Sequence, residues 1–257
     1  MCTLAIYFHA STDFPVVVAA NRDEFFDRPT AAPAQLAAPP LVAAPWVVAG
    51  RDLRAGGTWL GVNAHDLVAG LLNRRGSAPP DPERRSRGLL CLEALREASV
   101  AAARARVLRD VGTRYNPFNL LLASPQAAWV IGNNSGTMIA TVLKPGVHLL
   151  TNLELNDPQC PRIAKSYGLF AELAPLLAES TGDVFFHRLR LILSDHSTPL
   201  DPRDHGPPNN LCVHTPTFGT RSSSVLMYSA RARRFRLWHA AGPPCTTEHT
   251  EIALPLT

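Results

Sequence analysis

The sequence predicts an α+β protein, a four-layer αββα sandwich in which two antiparallel sheets are covered by helices. Three observations predict it. Apolar runs of strand length and stretches of helical periodicity alternate in the order strands, helices, strands, helices, strands. The first strand-like run begins almost at residue 1. A chain of 257 residues with 46% hydrophobic and 18% charged composition can bury a substantial core. One domain spanning 1–257 is expected.

Thr3 to Phe8 and Pro15 to Ala20 are β-branched and aromatic runs flanking the polar segment His9 to Asp13, the spacing of a hairpin. Asn21-Arg-Asp-Glu24 follows directly and is placed at the strand end. Residues 28–45 hold five prolines among alanines, which cannot supply ladder donors, so an extended surface loop is expected. Thr58 to Val62 and Leu67 to Leu72 read as a strand pair turning at Asn63 to Asp66, with Asn73 at the end of the second strand. Ala78 to Pro82 is a second Pro-rich loop. From Gly88, apolar residues recur at helical spacing with Ser86 as N-cap, and the Ala/Arg tract to Asp110 continues as helix. Phe118 to Ala123, Ala127 to Gly132, Thr137 to Leu143 and Val147 to Thr151 read as a four-stranded meander closed by Asn152. Ile163 to Leu177 and Val184 to Leu193 are helical, the second ended by Ser194-Asp195. Ser223 to Ala230 and Phe235 to Ala240 are the last strands, around an Arg-rich turn.

The net charge is +4 and the pI about 9.0, with Lys144 and Lys165 the only lysines. Arginines cluster at 84–87, 104–114 and 231–236, but Glu83, Glu93, Glu97 and Asp110 are mixed into the first two clusters. A solvated helix face and a hairpin tip account for them, and no nucleic-acid partner is expected. Cys2, Cys91, Cys160, Cys212 and Cys245 form an odd set without a Cys-x-x-Cys pair, which fits neither a disulfide framework nor a structural zinc site. No secretory-type start and no membrane-spanning apolar stretch are present. A cytoplasmic protein acting on a small-molecule ligand or substrate is expected.

Cys2 carries the sharpest chemical signal. Its small side chain favours removal of Met1, which leaves a thiol and a free α-amine on one residue. The amine, with a pKa of about 7.7–8.0, has a neutral fraction near pH 7 that can take the thiol proton, so one residue supplies nucleophile and base. The strand-like Thr3 to Phe8 holds this residue in a sheet instead of a frayed end. That combination points to the N-terminal-nucleophile (Ntn) hydrolase type of αββα sandwich. Asn21 to Glu24 admits two readings: a cluster that tunes the thiol, or a polar turn with an Arg–Glu surface pair.

Met1-Cys-Thr-Leu4, Asn21-Arg-Asp-Glu24 with Arg28-Pro-Thr30, Gly56-Gly-Thr-Trp-Leu-Gly61, Phe118-Asn-Leu-Leu121, Leu150-Thr-Asn152 and Gly219-Thr-Arg-Ser-Ser-Ser224 occur in the order found in the NRDE family. That family, also called the transport-and-Golgi-organisation family, is the one this chain resembles through most of its length. The resemblance implies an Ntn-hydrolase-like fold, related to cysteine hydrolases that cleave conjugated bile salts and penicillin V. It implies cleavage of a linear amide C–N bond, with Cys2 attacking the carbonyl carbon and no cofactor required. Arg22 and Asp23 would tune the thiol and hold the amine. Asn73 and Asn152 would orient the amine or donate to the oxyanion, and Arg221 would stabilise developing charge. Asn is also a common turn residue, and Gly219-Thr-Arg221 also reads as a tight turn.

The resemblance carries an alternative, haem trafficking or acyl-CoA and lipid handling on the same scaffold without turnover. Haem ligands would come from Cys2, His9, His65 or the Cys160-Pro161 pair. No metal site is expected: His187, His196, His205 and His214 fall nine residues apart, an interval that matches no metal-site spacing. Cys212-Val-His214 places two potential ligands on one strand face, but a buried Cys and a satisfied His are the preferred account. Other members tend toward Leu-Asp-x-Pro-Trp-Pro-Lys after the second Asn, whereas this chain has Leu155-Asn-Asp-Pro-Gln-Cys-Pro-Arg162. The Pro- and Ala-rich loop is expected over the site, where it would select the ligand.

Overall fold

The computed structural model describes residues 2–36, 43–134, 136–179, 182–197 and 210–255. Met1, His205 and part of the Pro-rich stretch lie outside them. Two compact units emerge, Met1–Asp27 with Pro145–Ile252, and Arg28–Lys144 with Ala253–Thr257.

The first unit is built on a six-stranded antiparallel sheet. Its strands are β1 (Thr3–Phe8), β2 (Val16–Phe25), β10 (Gly146–Leu150), β11 (Phe218–Ser229), β12 (Arg234–Ala240) and β13 (Thr250–Ile252), in the order β10-β1-β2-β11-β12-β13. Helices α3 (Pro161–Glu179) and α4 (Gly182–Leu193) cover one face. Alternation decides which residues meet them: Ala5 and Tyr7 on β1, Val17 and Ala19 on β2, and Val225 and Met227 on β11 join Phe170, Phe185 and Leu189 in one core. The Tyr7 hydroxyl donates to the Phe170 carbonyl at 2.8 Å and anchors α3.

The second unit is a seven-stranded antiparallel sheet in sequential order. It comprises β3 (Thr30–Leu36), β4 (Val47–Asp52), β5 (Leu60–Asn63), β6 (Val68–Asn73), β7 (Phe118–Ser124), β8 (Ala127–Asn134) and β9 (Thr137–Val142). Helices α1 (Arg87–Ala94) and α2 (Val100–Arg109) pack on it through Leu90, Val100, Ala103 and Val107 against Ala69, Leu120 and Leu122.

Four expectations are corrected. Part of the Pro- and Ala-rich stretch forms β3, an edge strand, and Pro33 falls where the register with β4 shifts between Ala31 and Ala34. A bulge on an edge strand is where a missing N–H costs the ladder nothing. Asn21 to Glu24 lies inside β2, because β11 continues to pair with it as far as Phe25. The Ala/Arg helix is two helices, interrupted after Leu95 and restarted by Ser99, whose side chain accepts from the Ala102 N–H at 3.1 Å. The meander has three strands, since β10 leaves it to pair with β1.

Candidate active site

Cys2 immediately precedes β1, where Thr3 pairs with Asn21 and Leu4 with Ala20. Side chains alternate, so Cys2 shares its sheet face with Leu4 and Ile6, and Arg22 shares that face with Ala20 and Val18. Thr3, Asn21 and Asp23 point to the opposite, helix-covered face. The candidate site is therefore layered: a thiol and a guanidinium in front, a buried polar network behind.

The network centres on Asp23. Its Oδ2 accepts from Arg162 Nη1 at 3.0 Å and its Oδ1 from the Thr220 hydroxyl at 2.7 Å, while Arg162 Nη1 also donates to the Thr3 hydroxyl at 2.9 Å. Both charged side chains are fully buried. Thr220 reaches Asp23 because β11 carries an irregularity between Thr220 and Ser222. Further along the strand the odd-numbered Val225 and Met227 face the helices. The extra residue, Arg221, reverses that parity and turns Thr220 onto the helix side, a re-aiming that bulges supply. Asn21 lies beside this network and donates through Nδ2 to the carbonyls of Leu193 and Leu211, both at 2.8 Å, tying the end of α4 to the segment before β11.

In front, the Cys2 thiol donates to the Asp23 carbonyl at 3.5 Å. Burial pushes this thiol up, the Asp23 carboxylate adds to the rise, and the chain's α-ammonium and Arg22 oppose it. Arg22 pairs with Glu24 along the strand at 3.6 Å. Asn152, two residues beyond β10, has a buried Oδ1 without a hydrogen-bond partner among the described residues. Arg221 donates to the Phe26 carbonyl at 3.3 Å and lies 5.9 Å from that ring's centre. Asn73 ends β6 in the other unit, paired in register with Phe118.

The structure thus brings Cys2, Arg22 and Asp23 together and adds two residues that sequence reasoning missed, Arg162 and Thr220. Thr220 lies inside the Gly219-Thr-Arg-Ser-Ser-Ser224 motif and Arg162 closes the Leu155 to Arg162 stretch, so both stood in segments the sequence marks without being marked as site residues themselves. Cys160 is buried and bonded to Thr151 at 3.4 Å, which makes it a core residue.

The profile of the family described as Transport and Golgi organisation 2 matches residues 1–237. The chain belongs to that family. Among members of the Transport and Golgi organisation 2 family, the Bos taurus homolog is 30% identical over 238 residues, covering 84% of this chain and 83% of its own. The Homo sapiens homolog is 27% identical over the same shares. Two solved structures share the fold of this family member. Penicillin V acylase from Agrobacterium tumefaciens has a TM-score of 0.56 at 15% identity, covering 97% of this chain and 98% of that one. The Caenorhabditis elegans N-acylethanolamine-hydrolyzing acid amidase ortholog has a TM-score of 0.58 at 13% identity, covering 99% and 100%. These likenesses show the Ntn-hydrolase fold expected from the sequence. Among the described residues, no helix is long and apolar enough to cross a membrane.

Proposed function

We propose that this protein is an Ntn-type amidohydrolase that cleaves a linear amide C–N bond in a small molecule through Cys2. The observation that carries the reading is the layered site: a thiol at the start of β1, on the face of Arg22, braced from behind by the buried Asp23–Arg162 pair. Once Met1 is removed, the α-amine of Cys2 takes the thiol proton as sulfur attacks the carbonyl carbon. The ammonium then returns that proton to the departing nitrogen, and a thioester remains. Water, deprotonated by the same amine, hydrolyses the thioester and regenerates the thiol. Burial that opposes ionisation of the thiol suits this sequence, because the proton then moves as substrate is attacked.

Arg22 supplies positive charge near the forming thiolate, and the amide of Asn152 offers a donor without a charge of its own. Asn73 carries the second donor role, and Arg221 that of stabilising developing charge, on the family resemblance alone. The named activities of the fold relatives, on penicillin V and N-acylethanolamines, guide the choice of amides to test.

Mature protein incubated with a panel of linear amides, including N-acylethanolamines and penicillin V, is expected to gain an acyl mass on Cys2 and to release the amine. Cys2→Ala is expected to lose turnover by about 10³-fold or more. Retained Met1 in protein made in cells, or neither adduct nor turnover across the panel, would overturn the proposal. Carriage of haem or an acyl-CoA, the alternative, is recognised in the same samples by a retained ligand without product.

A further inference from the structure

Four side chains on three separate segments of the first unit converge away from the Cys2 site. His196 follows α4, Cys212 and His214 precede β11, and Cys245 lies in the connection from β12 to β13. One ligand atom from each falls within 4.8 Å of the others. The Sγ atoms of Cys212 and Cys245 are 3.6 Å apart, and His214 Nε2 is 3.6 Å from the first and 3.2 Å from the second. We propose that His196, Cys212, His214 and Cys245 form a structural zinc site.

The spacings among Cys212, Cys245 and His214 are close to the edges of a tetrahedral site, and His196 stands on the fourth side within 4.8 Å. Zn–S bonds of about 2.3 Å and Zn–N bonds of about 2.0–2.1 Å at tetrahedral angles place sulfurs about 3.8 Å apart and a sulfur about 3.6 Å from a nitrogen. A disulfide, with sulfurs about 2.05 Å apart, is a different geometry. The imidazole of His196 is also pre-set. Its Nδ1 lies 3.0 Å from the Cys212 carbonyl, which can only accept, so Nδ1 carries the proton and Nε2 keeps a lone pair for the metal. In return the Cys212 N–H donates to the Asp195 carbonyl at 3.1 Å, locking the two ligand-bearing segments to each other.

Two thiols lose their protons to solvent on binding, and the two thiolates balance the charge of the ion. Two thiolates with two imidazoles select zinc over magnesium or calcium, and four protein ligands leave no open position for catalysis. The task is mechanical. The Val213 N–H, between two ligands, donates to the Thr220 hydroxyl at 2.9 Å, which donates to Asp23, and His214 bridges to Gly219. Zinc would thus clamp the segment that supports the network behind Cys2.

Untagged full-length protein, purified under reducing conditions from zinc-supplemented cells, is expected to hold about one zinc per chain by elemental mass spectrometry. Cys245→Ser and His214→Ala, both changes at the surface, are expected to retain under a tenth of that while remaining folded by circular dichroism. Cobalt exchanged into wild type should give the thiolate charge-transfer bands of a tetrahedral site, absent in Cys245→Ser. Cys2→Ala should keep its zinc, which separates this outcome from the hydrolase proposal. Equal zinc in Cys245→Ser and wild type, or zinc-free wild type with Cys212 and Cys245 joined in a disulfide, would overturn the inference.

Discussion

Arg162 and Asp23 are both withdrawn from solvent, and a charge placed there is tolerated only while its partner stays. The desolvation cost of each ion is offset by the other and by hydroxyls of Thr3 and Thr220. Removing one partner strands the remaining charge. Arg162→Met is therefore expected to lower the unfolding free energy by about 3–5 kcal/mol in urea titrations. Asp23→Asn combined with Arg162→Met should recover most of that loss, because a neutral amide in place of the carboxylate needs no cation. A single-variant loss below about 1 kcal/mol would show that the pair does not hold the site. At this scale Cys2, Arg22 and Asp23 were legible, since position and motif mark them. Arg162 was hidden by its 139-residue separation from Asp23, and the Cys/His quartet by its division over three segments. The nine-residue histidine interval, read as matching no metal site, does not act as a unit: His196 and His214 meet, whereas His187 sits on α4 against Phe186.

Elements add constraints that single residues do not show. Gly57, within the Gly-Gly-Thr-Trp-Leu-Gly motif, meets the start of α1 so closely that an added Cβ would lie 2.2 Å from the carbonyl carbon of Gly88. The obstacle is backbone, which cannot swing aside, and the Thr58 N–H donates to the Gly88 carbonyl at 3.0 Å across the same contact. Gly57→Ala must push α1 off its sheet. The expected loss is about 1–3 kcal/mol in chemical denaturation, and an unchanged midpoint would refute the close-contact argument. Alternation and turn residues made the β1–β2 hairpin readable, and helical periodicity located α3 and α4. They could not reveal β3, because proline argues against a strand until an edge and a bulge excuse it. Nor could they assign β10 to the sheet of β1, since its sequence encodes a strand but not its partner.

Across the molecule, arginines from each of the three clusters pair with nearby carboxylates. Arg85 and Arg106 reach Glu93 at 2.5 and 3.0 Å, Arg114 reaches Asp110 at 2.8 Å, and Arg236 reaches Glu251 at 2.8 Å. Burial alone would raise Glu93 and Asp110, but hydrogen bonds outweigh it and hold both low; the Arg236 hydrogen bond does the same for Glu251. Carboxylates held low stabilise the fold above their unfolded pKa of about 4 and lose that contribution as pH falls below it. His239 acts in a different window. Burial lowers it to about 4, and its Nδ1 lies 2.8 Å from the Ser224 hydroxyl. Burial, with Arg190 and His239 adding to it, lowers His249 to about 4 as well. Below pH about 6.5 the unfolded chain protonates these imidazoles while the folded chain keeps them neutral, so stability falls as pH drops toward 4 and this loss then levels off. His239 alone accounts for roughly 3 kcal/mol over that interval. Unfolding free energy measured in urea should therefore decline from pH 7 to about pH 5, above most of the carboxylate titration, and His239→Gln should flatten the decline. A profile that is level over that range in wild type would mean that neither imidazole is held neutral by the fold.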